Sequence, residues 1–127
     1  MSKLIMIDDD MMYHKIAQLM LKEYSRVNEV VSSTDAKATL DFLEENKSDG
    51  EKLPDYIFLD LHMPQYDGWD FLNGYKKLYR SLTKAIKVYI VSSSIDPNDI
   101  TRSKQYKFVD SFIVKPLRRE FLHELMA

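Results

Sequence analysis

Tyr56-Ile57-Phe58-Leu59-Asp60-Leu61-His62-Met63-Pro64-Gln65-Tyr66-Asp67-Gly68, residues 56–68, runs from four apolar residues to an acid and then into a loop. Tyr56–Leu59 reads as a strand buried on both faces, because a short continuous apolar run suits a parallel sheet covered by helices. Pro64 and Gly68 punctuate the loop. Helical spacing follows from Trp69 to about Ser81, with Leu72, Tyr75 and Tyr79 on one face. A buried strand, an acid at its end, a loop and a helix make one βα unit.

The rest of the chain repeats that unit. Towards the N-terminus, the apolar run Leu4–Ile7 within the strand Lys3–Ile7 is closed by Asp8, Asp9 and Asp10. Asp10 can cap the next helix, on which Met12, Ile16, Leu19 and Met20 recur at helical spacing. Val27–Ser32 is short and β-branched, hence a strand. Thr34 starts a helix carrying Ala36, Leu40 and Leu43, with its hydroxyl as the cap. Glu45–Pro54 is a polar connection rather than a domain boundary. Towards the C-terminus, the strand Ile86–Val91 is closed by Ser92. Asp96-Pro97 opens a helix that runs to about Lys107 and carries Ile100 and Tyr106. Ser111–Val114 is a strand closed by Lys115-Pro116, and Leu117–Met126 is a final helix with Leu117, Phe121, Leu122 and Leu125. Five βα units predict an α/β fold with a parallel sheet covered on both faces and right-handed crossovers. Spacing leaves the strand order open.

Composition bounds the function. A chain of 127 residues is one ordinary domain, with no second, output domain expected. A formal net charge of −2 and the lack of a recognition-helix signature argue against nucleic acid. No cysteine means no disulfide framework and no thiolate metal site. The start is not a signal peptide, and no run reaches the roughly 20 apolar residues of a membrane span. The expected setting is the cytoplasm, with no membrane partner.

In an open parallel sheet, the residues just beyond the strands' carboxyl ends gather at one edge, where ligands bind. That rule brings together Asp8, Asp9, Asp60, Ser92 and Lys115: carboxylates, a hydroxyl and an ammonium. Oxygen ligands of this kind suit Mg²⁺, which needs few carboxylates when a phosphoryl oxygen fills another position. A carboxylate such as Asp60 can attack phosphorus and become an aspartyl phosphate. The added charge would draw in Ser92 and Lys115 and move their loops. Taken singly, each feature has a plainer reading. The acid triplet can be a helix N-terminus, the lone Asp a turn, Ser92-Ser93-Ser94 a loop, and Lys-Pro a strand exit. The four together, each at a strand end, carry the inference.

These pieces, LIMIDDD, IFLDLHMPQYDGWDFL, VYIVSSS and FIVKPL, resemble the CheY-like receiver domain of two-component response regulators. The resemblance spans Lys3 to Leu125 and is most specific from Asp60 to Gly68, where Met63-Pro64 and Asp67-Gly68 follow the acid. It implies a flavodoxin-like sheet of order 2-1-3-4-5. It implies Asp60 as phosphoacceptor, Asp9 as direct Mg²⁺ (or Mn²⁺) ligand, Asp8 acting through water, and the His62 backbone carbonyl as a further ligand. Ser92 matches the hydroxyl that follows the phosphoryl group, Lys115 the lysine that contacts it, and Pro116 a proline often preceded by a cis bond. Phe112 matches the aromatic switch. His62 and Ser94 stand where the family tunes phosphate lifetime; the plainer reading of His62 is an exposed loop residue. The implied donor is a histidine kinase or histidine phosphotransfer protein.

This chain departs from the pattern in places. Phe112 lacks the hydroxyl of the commoner Tyr, so a switch there acts by ring packing alone. Ser92 replaces the commoner Thr. Lys107-Phe108-Val109 stands where a small Gly-Ala pair is usual, which predicts a different end to the fourth helix. The loop before Tyr56 is long. Arg102, Lys104, Lys107, Arg118 and Arg119 are either a docking face on the fourth helix, fifth strand and fifth helix or ordinary solvated surface. The eight tyrosines are expected in or beside the core.

Three functions compete. The first is a stand-alone bacterial receiver, phosphorylated on Asp60 and signalling by a changed surface, as a monomer or a weak phosphorylation-dependent dimer. It is a signalling domain that catalyses its own transfer and dephosphorylation rather than an enzyme acting on a separate substrate. The second is a receiver-like interaction module that works without phosphate. The third is a Mg²⁺-dependent small-molecule phosphohydrolase; the haloacid dehalogenase type needs a second acid where His62 stands.

Overall fold

A computed structural model of the chain describes residues 2–23 and 27–126. Five strands, β1 (Ser2–Ile7), β2 (Val27–Ser33), β3 (Tyr56–Leu59), β4 (Lys87–Ser92) and β5 (Val109–Val114), form one parallel sheet of order β2-β1-β3-β4-β5. Between and after them run α1 (Met11–Leu21), α2 (Ala36–Glu45), α3 (Gly68–Leu78), α4 (Pro97–Ser103) and α5 (Arg119–Met126). The expected flavodoxin-like architecture and strand order both stand. No helix among the described residues is long and apolar enough to cross a membrane.

Successive strand residues point to opposite faces, so each central strand feeds two cores. Ile5, Ile7, Ile57, Leu59, Val88 and Ile90 join Leu40, Leu43, Phe71, Leu72 and Tyr75 under α2 and α3. Leu4, Met6, Phe58, Tyr89 and Val91 join Ala17, Leu21, Leu117 and Leu122 under α1 and α5. This is why the strands read as unbroken apolar runs.

The helix edges differ from the sequence reading in instructive ways. Asp35, not Thr34, caps α2: its carboxylate accepts from the Ala38 N–H at 3.0 Å. α4 stops at Ser103, well short of Lys107. Beyond it Tyr106 and Phe108 turn inward, and Phe108 packs on Tyr75 and Tyr79 with ring centroids 4.9 Å apart in each pair. A large ring in place of the small pair thus ties the end of this segment to α3. The helix after Trp69 ends at Leu78 and tightens into a 3₁₀ turn over Tyr79–Ser81.

Helical spacing alone does not say which face of α1 meets the sheet. Met12, Ile16 and Leu19 face solvent, at 64%, 50% and 64% exposure, while His14, Ala17 and Leu21 are buried. Of the four residues that recur at helical spacing, only Met20 packs in part against the core. All seven described tyrosines pack in or against the two cores, among them Tyr56, Tyr75 and Tyr89, and Tyr106 also lies beside Trp69 with ring centroids 6.1 Å apart; Tyr24 lies outside the described residues.

Candidate functional site

The carboxyl ends of β1, β3 and β5 deliver the charged groups. Asp8 follows β1 and is buried, and every polar group it owns is engaged. Its N–H donates to the Ser33 carbonyl at 2.9 Å, and its carbonyl accepts from His14 Nε2 at 2.7 Å. Its carboxylate accepts from the Asp10 N–H at 2.9 Å and from Lys115 Nζ at 2.6 Å. Asp60 follows β3 and is also buried, its N–H donating to the Ile7 carbonyl at 2.9 Å. That bond seats the acid beside the end of β1. Asp9 is exposed, yet carboxylate oxygens of Asp8, Asp9 and Asp60 all lie within 4.8 Å of one another.

Lys115 reaches both buried acids, with Nζ 2.6 Å from Asp8 and 3.9 Å from Asp60. Its ammonium also lies over the Tyr13 ring, 4.3 Å from the centroid, where the ring's negative face attracts a cation. The Lys115 N–H donates to the Ser92 carbonyl at 2.8 Å, which docks the end of β5 on the end of β4. The Lys115–Pro116 peptide is cis, the form often found at this position in the family that the sequence resembles.

The electrostatics are unbalanced: three carboxylates face one ammonium. Burial first, then the charge of Asp8, pushes the Asp60 carboxyl up to about 6, against the pull of Lys115 and the hydrogen bond from the His62 N–H. A hard divalent cation meets both needs of this donor set. It prefers carboxylate oxygens at this spacing, and its charge relieves their repulsion. The residues present therefore fit Mg²⁺.

Two loops flank the acids. Ser92 is fully buried, and its hydroxyl accepts from the Ser94 N–H at 3.2 Å. The Ser94 hydroxyl donates to Asp99 at 2.6 Å, and the same carboxylate oxygen lies 3.9 Å from His62 Nε2. Asp99, on α4, thus spans the two positions singled out by sequence and was itself missed. His62 is exposed, as its plainer reading had it. Phe112 is half-buried against the α2–α3 core. Pro64 is exposed in the loop before α3. Gly68 has a steric reason to be glycine: a Cβ there would sit 2.5 Å from the Asp60 carbonyl oxygen and 2.7 Å from Leu61 Cα. That close approach lets the Gly68 N–H donate to the Leu61 carbonyl at 3.0 Å and holds α3 against the acid's loop.

Sequence reasoning also missed His14 and Tyr13. They sit on α1, four and three residues beyond the Asp10 cap respectively, and only the burial of that helix marks them out. Of the basic residues, Arg102 stacks over Trp69 at 4.1 Å and Arg119 pairs with Glu23 at 3.2 Å. An open groove of about 460 Å³ lies elsewhere, between β2, α2 and Pro54, and contains none of the site residues.

The response regulator receiver domain family matches residues 4–127. A probable methanogenesis regulatory protein of Methanothrix harundinacea is 35% identical over 88 residues, covering 69% of this chain and 55% of that protein. The chain spans about half the length of the curated relatives it matches first. A two-component response regulator from Cytophaga hutchinsonii superposes with a TM-score of 0.85 at 28% identity, over 97% of this chain and 92% of that one. The receiver domain of a histidine kinase from Arabidopsis thaliana, in complex with Mg²⁺, does so with a TM-score of 0.80 at 25% identity, over 98% and 91%. Relatives thus reach beyond bacteria.

Proposed function

This chain belongs to the response regulator receiver domain family, and from that premise we propose that Asp60 accepts a phosphoryl group from a phosphohistidine and that the protein signals through the changed surface. One observation carries the reading: Asp8, Asp9, Asp60 and Lys115, 107 residues apart at the extremes, converge at one sheet edge. An Asp60 carboxylate oxygen attacks phosphorus, an O–P bond forms, and the P–N bond to the donor imidazole breaks. The imidazole leaves with the electron pair and takes up a proton. Later attack by water on the acyl phosphate returns Asp60 and inorganic phosphate. Asp8, Asp9, Asp60 and the His62 carbonyl would hold Mg²⁺, which when bound neutralises charge on the transferring oxygens. Lys115, which reaches both Asp8 and Asp60, supplies a second positive charge. Ser92 follows the phosphoryl group with its hydroxyl, and Phe112 answers by repacking. His62 and Ser94, joined through Asp99, set how long the phosphate survives.

The donor is a histidine kinase or phosphotransfer protein. Met12, Ile16 and Leu19 support a protein donor rather than a small one, since they lay an exposed apolar stripe on the helix that starts beside Asp9 and Asp10. The region of α4, β5 and α5 is the downstream docking face in this reading, which calls for no nucleic acid or membrane. The test is incubation with acetyl phosphate and Mg²⁺, read by intact mass beside Asp60→Asn. A phosphate adduct on wild type only, dependent on Mg²⁺, is expected. Equal signalling by Asp60→Asn would instead favour an interaction module that works without phosphate.

A further inference from the structure

We propose that His14 is a positioning residue for the metal site: its hydrogen bond fixes the peptide that joins the two acidic ligands, Asp8 and Asp9. The inference rests on the reading of Asp8, Asp9 and Asp60 as a Mg²⁺ site. His14 is 2% exposed and shares the inner side of α1 with Ala17 and Leu21. Its Nε2 lies 2.7 Å from the Asp8 carbonyl oxygen. A carbonyl oxygen only accepts, so Nε2 carries the hydrogen. Nδ1 is shut away from solvent without a hydrogen-bond partner among the described residues.

That orphan argues against a packing role. A buried polar atom without a partner costs stability. An apolar ring or a Leu would fill the same space without that cost. What only a donor of this reach supplies is the bond to Asp8.

The consequence follows from the planarity of the peptide. The Asp8 carbonyl and the Asp9 N–H belong to one rigid unit, so holding the oxygen sets the direction in which the chain enters Asp9. The Asp8 N–H and carboxylate are already held by Ser33, Asp10 and Lys115. His14 supplies the remaining restraint, on the side that leads to Asp9. Asp9 is exposed, and its side chain must arrive within 4.8 Å of the other two acids for one ion to be shared. Partners of this kind, which touch a ligand rather than the ion, typically change metal affinity by about 10- to 100-fold when removed.

Calorimetric titration with Mg²⁺ alone, without any phosphodonor, tests this on wild type, His14→Phe and His14→Gln. Gln carries an amide N–H at about the reach of Nε2, whereas Phe keeps the ring and loses the donor. The expected result is affinity about 10- to 100-fold weaker for Phe and close to wild type for Gln. Equal affinity in all three overturns the proposal, as does equal loss in both variants, which would mean that the ring itself matters. If His14→Phe does not fold, ¹⁵N imidazole shifts of the metal-free wild type decide. A hydrogen resident on Nε2 and slow to exchange supports the bond, while residence on Nδ1 sinks it. Wild type that takes up no Mg²⁺ would sink the metal site itself, and this role with it.

Discussion

α1 and α3 are each eleven residues long and each begins at an aspartate cap, yet their amphipathic patterns run in opposite senses. α3 buries Trp69, Phe71, Leu72, Tyr75 and Leu78 and shows solvent Asp70, Asn73, Lys76 and Lys77. α1 buries His14 and small Ala17 and shows solvent Met12, Ile16 and Leu19. A helix that serves only the core looks like α3. α1 gives up core burial at both faces: inwardly for a polar contact with the site, outwardly for an apolar surface. Both departures lie within three turns of the acids.

The difference can be broken by stability and function measured side by side. Phe71 is fully buried, so Phe71→Ala should cost about 3–5 kcal/mol in urea unfolding at unchanged m-value. Ile16→Asp, at a half-exposed position, should stay within about 0.5 kcal/mol of wild type. The same Ile16→Asp should slow transfer from a protein phosphodonor by roughly tenfold, the loss of one good interface contact, and leave labelling by acetyl phosphate unchanged. A large stability loss at Ile16 would show that the stripe is core after all.

α3 was legible and α1 was not, for one physical reason. Periodicity reports which residues share a face, not which face meets the sheet. On α3 the apolar face is wide and aromatic, and burying it is the strongest available driving force. On α1 the spacing of Met12, Ile16 and Leu19 is equally regular, but Tyr13, Ala17, Met20 and Leu21 form a second apolar face beside His14. The sheet took the second. The site was legible because its groups end strands, where direction is set by the backbone. Asp8, Asp60 and Lys115 needed only the sheet topology to meet. His14 and Asp99 sit on helices, so their roles depend on helix rotation, which a sequence does not print. The end of α4 was misplaced for a related reason: Phe108 finds Tyr75 and Tyr79 across space, and that contact outweighs the local tendency to continue the helix.

The conflict between function and stability should also appear at Asp60 as a pH effect. Its folded-state carboxyl titrates at about 6, above the ordinary value of 3.8. Between those values the folded protein holds a proton that the unfolded chain has released, so stability falls as pH rises through this window. The penalty is absent below about pH 4 and fully present above about pH 6. In metal-free protein Asp60→Asn should therefore stabilise at pH 7.5, by on the order of 1–2 kcal/mol once solvent screening is allowed for. The gain should shrink on acidification and vanish near pH 4. A gain that is the same at pH 7.5 and pH 4 would mean that burial of the charge is not its source.

The two caps should give the smallest effects and the finest contrast. Asp67 and Asp70 form a reciprocal box on α3, with bonds of 2.9 and 3.0 Å between each one's carboxylate and the other's N–H. On α1 the Asp10 carboxylate accepts from the Met12 and Tyr13 N–H groups at 3.0 and 3.3 Å, while its own N–H points to Asp8. Replacing either cap by Ala removes a side-chain acceptor and should cost about 1 kcal/mol. Asp67→Ala should do only that. Asp10→Ala keeps the backbone donor to Asp8, and Asp10 is not among the three acids that cluster. Its Mg²⁺ affinity should therefore stay near wild type even as α1 frays. If Asp10→Ala weakens Mg²⁺ binding as much as His14→Phe, the start of α1 as a whole positions the acids, and the task assigned to His14 is shared along the first turn.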